Sequence, residues 1–124
     1  MAATDLRLWD DLHRLTLQAV RHFNLRGPVV LEPLRGRASC RTYGDCSYDH
    51  CATCRCPPTI RLRIRGRRGV LSRPALLAVL AHELAHLRYL HHGKPHAALT
   101  REIATWLREA GEATTAHMLV IPRR

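Results

Sequence analysis

"VLAHELAHLRYLHHG", residues 79–93, combines an apolar repeat with four histidines and one glutamate. Its leucines recur at intervals of three and four residues, which is typical of a helix that buries one face. His82, Glu83 and His86 lie in the middle of this predicted helix. Because a buried imidazole or carboxylate must find a partner, the stretch predicts a helix that holds a metal ion.

The pair His82 and His86 has the spacing with which a helix presents two ligands to one ion. Residues four apart on a helix lie one above the other, so both imidazoles can reach one tetrahedral Zn²⁺. Glu83 projects about 100° around the helix axis from His82, toward a water molecule on that zinc. The zinc lowers the pKa of the water to about 7, and Glu83 takes its proton and passes it to the leaving amine. Random shuffling of this composition gives about 0.03 such patterns, so the pattern favours a zinc metallopeptidase with Glu83 as general base.

A catalytic zinc needs a third protein ligand, and the sequence offers several. His92 ranks first, because Gly93 beside it lets the chain leave the helix and fold back. In a continuous helix His92 would rise about 9 Å beyond His86, so this assignment requires a bend. Glu102 in the following helix ranks second, and the other candidates are His91 and His96.

The segments before this helix predict one further helix and a small sheet. Thr4 and the residues up to 25 have apolar side chains at helical spacing, closed by a Gly-Pro pair. "PVVLEPL" (28–34) and "GRASCRTYG" (36–44) predict two short strands. "TIRLRIRG" (59–66) is the clearest strand, because its aliphatic residues alternate strictly with arginine. We therefore expect an N-terminal helix followed by a small antiparallel sheet of about three strands.

Local signals place the two later helices. Ser72 is a good N-cap with Pro74 in the first turn, and Gly93 is a natural helix stop. A third helix over about residues 96–110 places apolar side chains on one side, and the tail "HMLVIPRR" predicts a short strand or an extended arm. The order of elements predicts an α+β fold in a single domain, residues 1–124.

Length and composition limit the class of protein. The chain has 124 residues, of which 46% are hydrophobic, and this fits one folded domain. No apolar run reaches the length of a membrane span, and the N-terminal "MAATDLRLWD" lacks the basic start and apolar centre of a signal peptide. We therefore expect a cytoplasmic monomer that does not contact membranes.

Five cysteines lie between residues 40 and 56. In a reducing compartment, clustered cysteines are more often metal ligands or free thiols than disulfides. Two of them, at 51 and 54, have the two-residue gap of a zinc knuckle. The cluster predicts a second, structural zinc; the alternatives are free thiols or a reversible disulfide in a hairpin tip. The candidate ligands are Cys46, Cys51, Cys54 and Cys56, with Cys40 and His50 as substitutes for the first and the last.

The charge balance supports an alternative function. Lys and Arg number 20 and Asp and Glu number 10, so the net charge is +10, which implies affinity for nucleic acid or another polyanion. The chain could thus be a non-enzymatic, basic, metal-stabilised nucleic-acid-binding module, although such a module has no use for Glu83. The basic run that would contact DNA consists of Arg61, Arg63, Arg65, Arg67 and Arg68.

The segment "VLAHELAHLRYLHHGKPHAAL" resembles the active-site helix of the SprT-like and YgjP-like zinc metallopeptidases, whose pattern is His-Glu-Leu-x-His followed shortly by Asn-His-Gly or Asn-His-Ser. Upstream, "TYGDCSYD" resembles the Trp-Gly-Ser-Cys-Ser segment of that family, and the resemblance spans about residues 37–107. It implies a zincin-like fold, a peptide or unfolded-protein substrate that can be associated with DNA, and His92 as the third ligand. The chain departs from the family at Tyr43, where a tryptophan is usual, and at His96, where a phenylalanine is usual.

Overall fold

The structure, a computed structural model, describes residues 3–34, 44–47, 57–66 and 69–123. Within these ranges the chain forms three helices and five short strands, which confirms the α+β prediction. Of the strand predicted at 36–44, only the last residue is described. In chain order the elements are α1 (Ala3–His22), β1 (Val30–Pro33), β2 (Gly44–Ser47), β3 (Thr59–Leu62), β4 (Arg65–Gly66), β5 (Gly69–Val70), α2 (Arg73–Ala85) and α3 (Lys94–Arg123).

The three-stranded sheet has β3 in its centre, between β1 and β2. β1 runs parallel to β3, with Val30 opposite Thr59, and β2 runs antiparallel to β3, with Gly44 opposite Leu62. The prediction of an antiparallel sheet is therefore wrong, because the sheet is mixed. β1 and β2 run in opposite directions, and β3 lies between them. Because β3 runs antiparallel to β2, it runs parallel to β1.

The strand predicted over residues 59–66 breaks after Leu62. Arg65 and Gly66 pair instead with β5 in a separate two-stranded hairpin. Ile60 and Leu62 are fully buried, as the alternation predicts, but Arg63 is also buried, with 6% of its surface exposed. The alternation fails at this point because the chain leaves the sheet at residues 63–64, where side chains no longer point to opposite faces in turn.

α1 confirms the first predicted helix and buries one face in the core. It ends at His22 rather than at the Gly-Pro pair, and Asn24 takes a φ of 52°, the left-handed conformation that commonly follows a helix end. An ion pair joins this helix to the start of α2, since Nη1 of Arg73 lies 2.6 Å from Oδ2 of Asp11.

α2 begins as predicted, because Oγ of Ser72 accepts a hydrogen bond from the backbone N–H of Ala75 at 3.3 Å. The helix ends at Ala85, however, and not near Gly93. The backbone N–H groups of residues 86–88 donate to carbonyl groups three residues earlier, over N···O distances of 3.1, 3.0 and 3.1 Å. This tighter turn ends the helix early and changes the direction of the chain ahead of the glycine.

α3 runs from Lys94 to Arg123 and packs against α2. Leu99, Ile103 and Leu107 are buried, as the apolar spacing predicts. The tail does not form the predicted strand or extended arm, because the helix continues through it and each added residue gains one backbone hydrogen bond. Neither α3 nor any other helix in the described part of the chain is both long and apolar enough to cross a membrane.

Candidate metal centre

Four histidines converge at the C-terminal end of α2. His82 lies in the last turn of α2, His86 caps the helix, His92 follows the turn, and His96 lies in the first turn of α3. One ring nitrogen of each histidine lies within 4.8 Å of the corresponding nitrogens of the other three. These four side chains could hold a metal ion.

Within this cluster, the His92 ring nitrogen lies close to those of the two other histidines predicted as ligands. Nε2 of His92 lies 3.1 Å from Nε2 of His82 and 3.0 Å from Nε2 of His86. Zinc–nitrogen bonds of about 2.0–2.1 Å place the corners of a coordination tetrahedron about 3.3 Å apart. The two distances from His92 are therefore only about 0.3 Å shorter than those of a zinc tetrahedron.

A hydrogen bond to the backbone orients the His86 ring. Its Nδ1 lies 3.0 Å from the carbonyl oxygen of Tyr89. Since a carbonyl oxygen only accepts, Nδ1 carries the proton and Nε2 of the neutral ring carries a lone pair. Nε2 of a neutral His92 offers either one proton or one lone pair, so it cannot bond fully to both neighbours. A cation between the three nitrogens satisfies all of their lone pairs.

The electrostatics at His82 and His86 favour the neutral imidazole. Burial lowers the pKa of His82, and the neighbouring rings of His96, His86 and His92 lower it further. Burial also lowers the pKa of His86, although the hydrogen bond to the Tyr89 carbonyl opposes this effect. A metal binds the unprotonated imidazole, so both shifts favour metal binding near neutral pH.

Glu83 lies beside the histidines with its side chain buried, 6% of its surface being exposed. It lines an open pocket of about 390 Å³ together with His82, His86 and His92. The pocket thus brings a carboxylate and three of the four imidazoles to one surface. This combination can bind a cation and move a proton next to it.

Strand β2 forms the opposite wall of this pocket, through Gly44 and Cys46. A Cβ built on Gly44 would lie 2.6 Å from Cγ1 of Val79 and 3.3 Å from Cγ of Glu83. Only glycine therefore allows the strand to lie this close to α2. Gly44 is not among the site residues predicted from the sequence, although an isolated glycine in a strand is itself a signal of close backbone approach.

Of the four candidates for the third ligand, two belong to the histidine cluster and two do not. His92 joins the cluster, and so does His96, which is buried with 3% of its surface exposed. His91 and Glu102 are exposed and lie outside this cluster. The bend that the His92 assignment requires is the tight turn after Ala85.

The cysteine prediction lies almost entirely outside the described residues. Cys46 is partly buried on β2 and packs against the core. The other candidate ligands of the second zinc, namely Cys40, His50, Cys51, Cys54 and Cys56, lie outside the described ranges. A second, structural metal therefore stays a prediction.

The arginines of the predicted basic run do not share one exposed face. Arg65 is exposed and Arg61 is half-buried, while Arg63 is buried. Arg67 and Arg68 lie outside the described residues. Binding of DNA or another polyanion stays a prediction that rests on net charge.

Comparison with known proteins adds no assignment. No family model, curated protein or solved structure matches the chain. The resemblance to the SprT-like peptidases therefore rests on the motif residues alone, and the geometry of the site carries the functional argument.

Proposed function

We propose that the protein is a zinc-dependent metallopeptidase with His82, His86 and His92 as metal ligands and Glu83 as general base. One observation supports this proposal above the others: the buried carboxylate of Glu83 lines the same pocket as three imidazoles whose Nε2 atoms converge. A nucleic-acid-binding module would require a metal site but no carboxylate in the pocket beside it.

Zinc, when bound, acts as a Lewis acid that polarises a carbonyl and acidifies a water molecule. The protein supplies the remaining parts of the reaction. The three imidazoles hold the ion, and the Tyr89 carbonyl holds the His86 ring in the tautomer that exposes Nε2. The Glu83 carboxylate accepts a proton from a water molecule in the pocket and delivers it to the leaving amine.

We propose that an unfolded protein segment binds along β2. Within the described part of the chain, β2 is an edge strand of the three-stranded sheet, and it also lines the pocket. An extended peptide can add to a strand edge through backbone hydrogen bonds, which recognise any sequence. Because Gly44 and Cys46 of β2 line the same pocket as Glu83, a peptide paired with β2 would lie next to the proposed base.

The test compares Glu83→Gln with the wild type. Glutamine keeps the shape of the side chain but cannot accept the proton, so we expect casein cleavage to fall by about 10²–10⁴-fold while zinc content stays the same. Glu102→Gln is the matched control, because Glu102 is exposed and lies outside the histidine cluster. Cleavage is measured with and without single-stranded DNA. Equal cleavage by pure Glu83→Gln protein would contradict the proposed role.

A further inference from the structure

We infer that His96 is a fourth metal ligand, which binds through Nδ1. This inference rests on the metal site of the proposed function but concerns a residue that the His-Glu-x-x-His motif does not include. His96 belongs to a different helix from His82 and is the most deeply buried of the four histidines. One nitrogen of its ring nevertheless lies within the 4.8 Å that contains the ligand atoms of the other three.

The hydrogen bonding of His96 determines which nitrogen is available. Its Nε2 lies 3.0 Å from the carbonyl oxygen of His82. This carbonyl belongs to the last turn of α2. The backbone N–H of His86, which would bond to it in a regular α-helix, donates to the Glu83 carbonyl instead. Because the carbonyl only accepts, Nε2 of His96 carries the proton and Nδ1 carries the lone pair. Metal-binding histidines commonly donate their second ring N–H to a backbone carbonyl in this way.

The ring of His96 also packs within the cluster rather than at its edge. Its centroid lies 4.2 Å from that of His86, 4.6 Å from that of His82 and 5.2 Å from that of His92. The helix that carries it is already formed at this turn, since Ala97 N–H donates to the Gly93 carbonyl, four residues earlier, at 2.9 Å. A ring held by a helix and by a backbone carbonyl keeps its Nδ1 in place before the ion arrives.

A fourth nitrogen changes what the site can bind. Catalytic zinc sites keep one tetrahedral position open, whereas four protein ligands close the tetrahedron. With zinc bound, His96 would fill the fourth position in the substrate-free protein, and another ligand could bind only by displacing it. The site should consequently bind zinc tightly and bind small exogenous ligands weakly.

Zinc X-ray absorption spectroscopy of the loaded protein tests this directly. We expect four imidazole nitrogens around zinc in the wild type and three nitrogens with one oxygen in His96→Phe, whose ring fills the same buried space. His91→Ala is the control and should keep four imidazoles, because His91 is exposed and outside the cluster. Three imidazoles in the wild type would overturn the inference and leave the proposed function intact. A wild type that binds no zinc would overturn both.

A second measurement does not depend on counting ligands. Cobalt(II) occupies nitrogen sites similar to those of zinc, and its visible absorption reports the binding of acetohydroxamate. We expect His96→Phe to bind acetohydroxamate at least about 10-fold more tightly than the wild type, because an open position replaces a filled one. His91→Ala should match the wild type. Equal affinity in the wild type and His96→Phe would overturn the inference.

Discussion

The backbone of Gly44 lies directly against the side chain of Glu83. A Cβ at position 44 would come within 3.3 Å of Cγ of Glu83, and Val79 on the same helix is closer still, at 2.6 Å. The distance between strand β2 and helix α2 is thus set by the absence of a side chain at one position. The proposed base and the strand that would bind a peptide are held together by this contact.

Gly44→Ala should therefore reduce activity more than it reduces metal binding. The added methyl group must push β2 away from Val79, which typically costs about 1–3 kcal/mol of stability. A displacement of about 1 Å between substrate and base can cost about 10²-fold in rate. We expect a decrease of this size in casein cleavage with zinc content unchanged. Gly93→Ala is the control, since a Cβ there would meet only Cδ of Pro95, at 3.9 Å. Equal activity of the two variants would contradict the prediction.

Neighbouring histidines should differ in their effect on metal affinity. His92→Ala removes a nitrogen that lies 3.0–3.1 Å from two others, whereas His91 is exposed and outside the cluster. We expect His92→Ala to weaken zinc binding beyond the roughly 10–100-fold typical of losing an outer partner of a ligand. His91→Ala should bind zinc as the wild type does. Competition titration with a chelator of known affinity measures both, and a weaker effect of His92→Ala than of His91→Ala would remove His92 from the site.

Two leucines of α1 provide a matched test of the core. Leu15 is completely buried, while Leu17, two residues later, has 51% of its surface exposed. Leu15→Ala should lower the free energy of unfolding by about 2–5 kcal/mol, through lost burial and the cavity left behind. Leu17→Ala should change it by less than about 0.5 kcal/mol. Urea denaturation of the metal-loaded proteins measures both values. Similar losses would mean that α1 packs with a different face.

The metal-free protein should lose stability as the pH falls below about 6.5. The pKa values of His82 and His86 are lowered in the folded protein, chiefly by burial, and the rings that face them are those of His92 and His96. The unfolded chain therefore takes up protons first as the pH falls, and the free energy of unfolding decreases from that point downward.

Urea denaturation of the metal-free protein at pH values from 7.5 to about 5 gives this dependence. Replacing both His82 and His86 with asparagine should flatten it, whereas His91→Ala should leave it unchanged. A free energy of unfolding that increases as the pH falls through this range would show that the two imidazoles are not buried as described.

The sequence predicts the parts of the site that depend on one helix. The spacing of His82, Glu83 and His86 defines their relative positions as soon as the segment is helical. The position of His92 depends on where α2 ends, and the glycine signal at 93 gives no indication of a tight turn that begins after Ala85. His96 comes from the next helix, so no periodicity relates it to the others.

The mixed sheet could not be predicted for a related reason. Residues of a strand alternate between two faces whether its neighbour is parallel or antiparallel, so the pattern at Ile60 and Leu62 identifies β3 without identifying its partners. The order of strands in the sheet depends on the segments that connect them. The segment that leads from β2 to β3 includes residues 48–56. Arg63 is a smaller example, because a strict alternation in sequence continues past the point where the strand itself ends.

The four imidazoles lie at graded depths, with His96 buried, His82 and His86 half-buried and His92 exposed. A chelator or a competing metal carrier in solution would meet His92 first, so we expect exchange of a bound ion to begin at that residue. The rate at which the ion leaves should then depend on the short connection between the two helices, which carries His92. The equilibrium affinity depends on all of the ligating rings, including that of His92. Variants of this connection that keep His92 should accordingly change how fast the protein acquires and releases a bound ion more than they change how tightly it holds the ion.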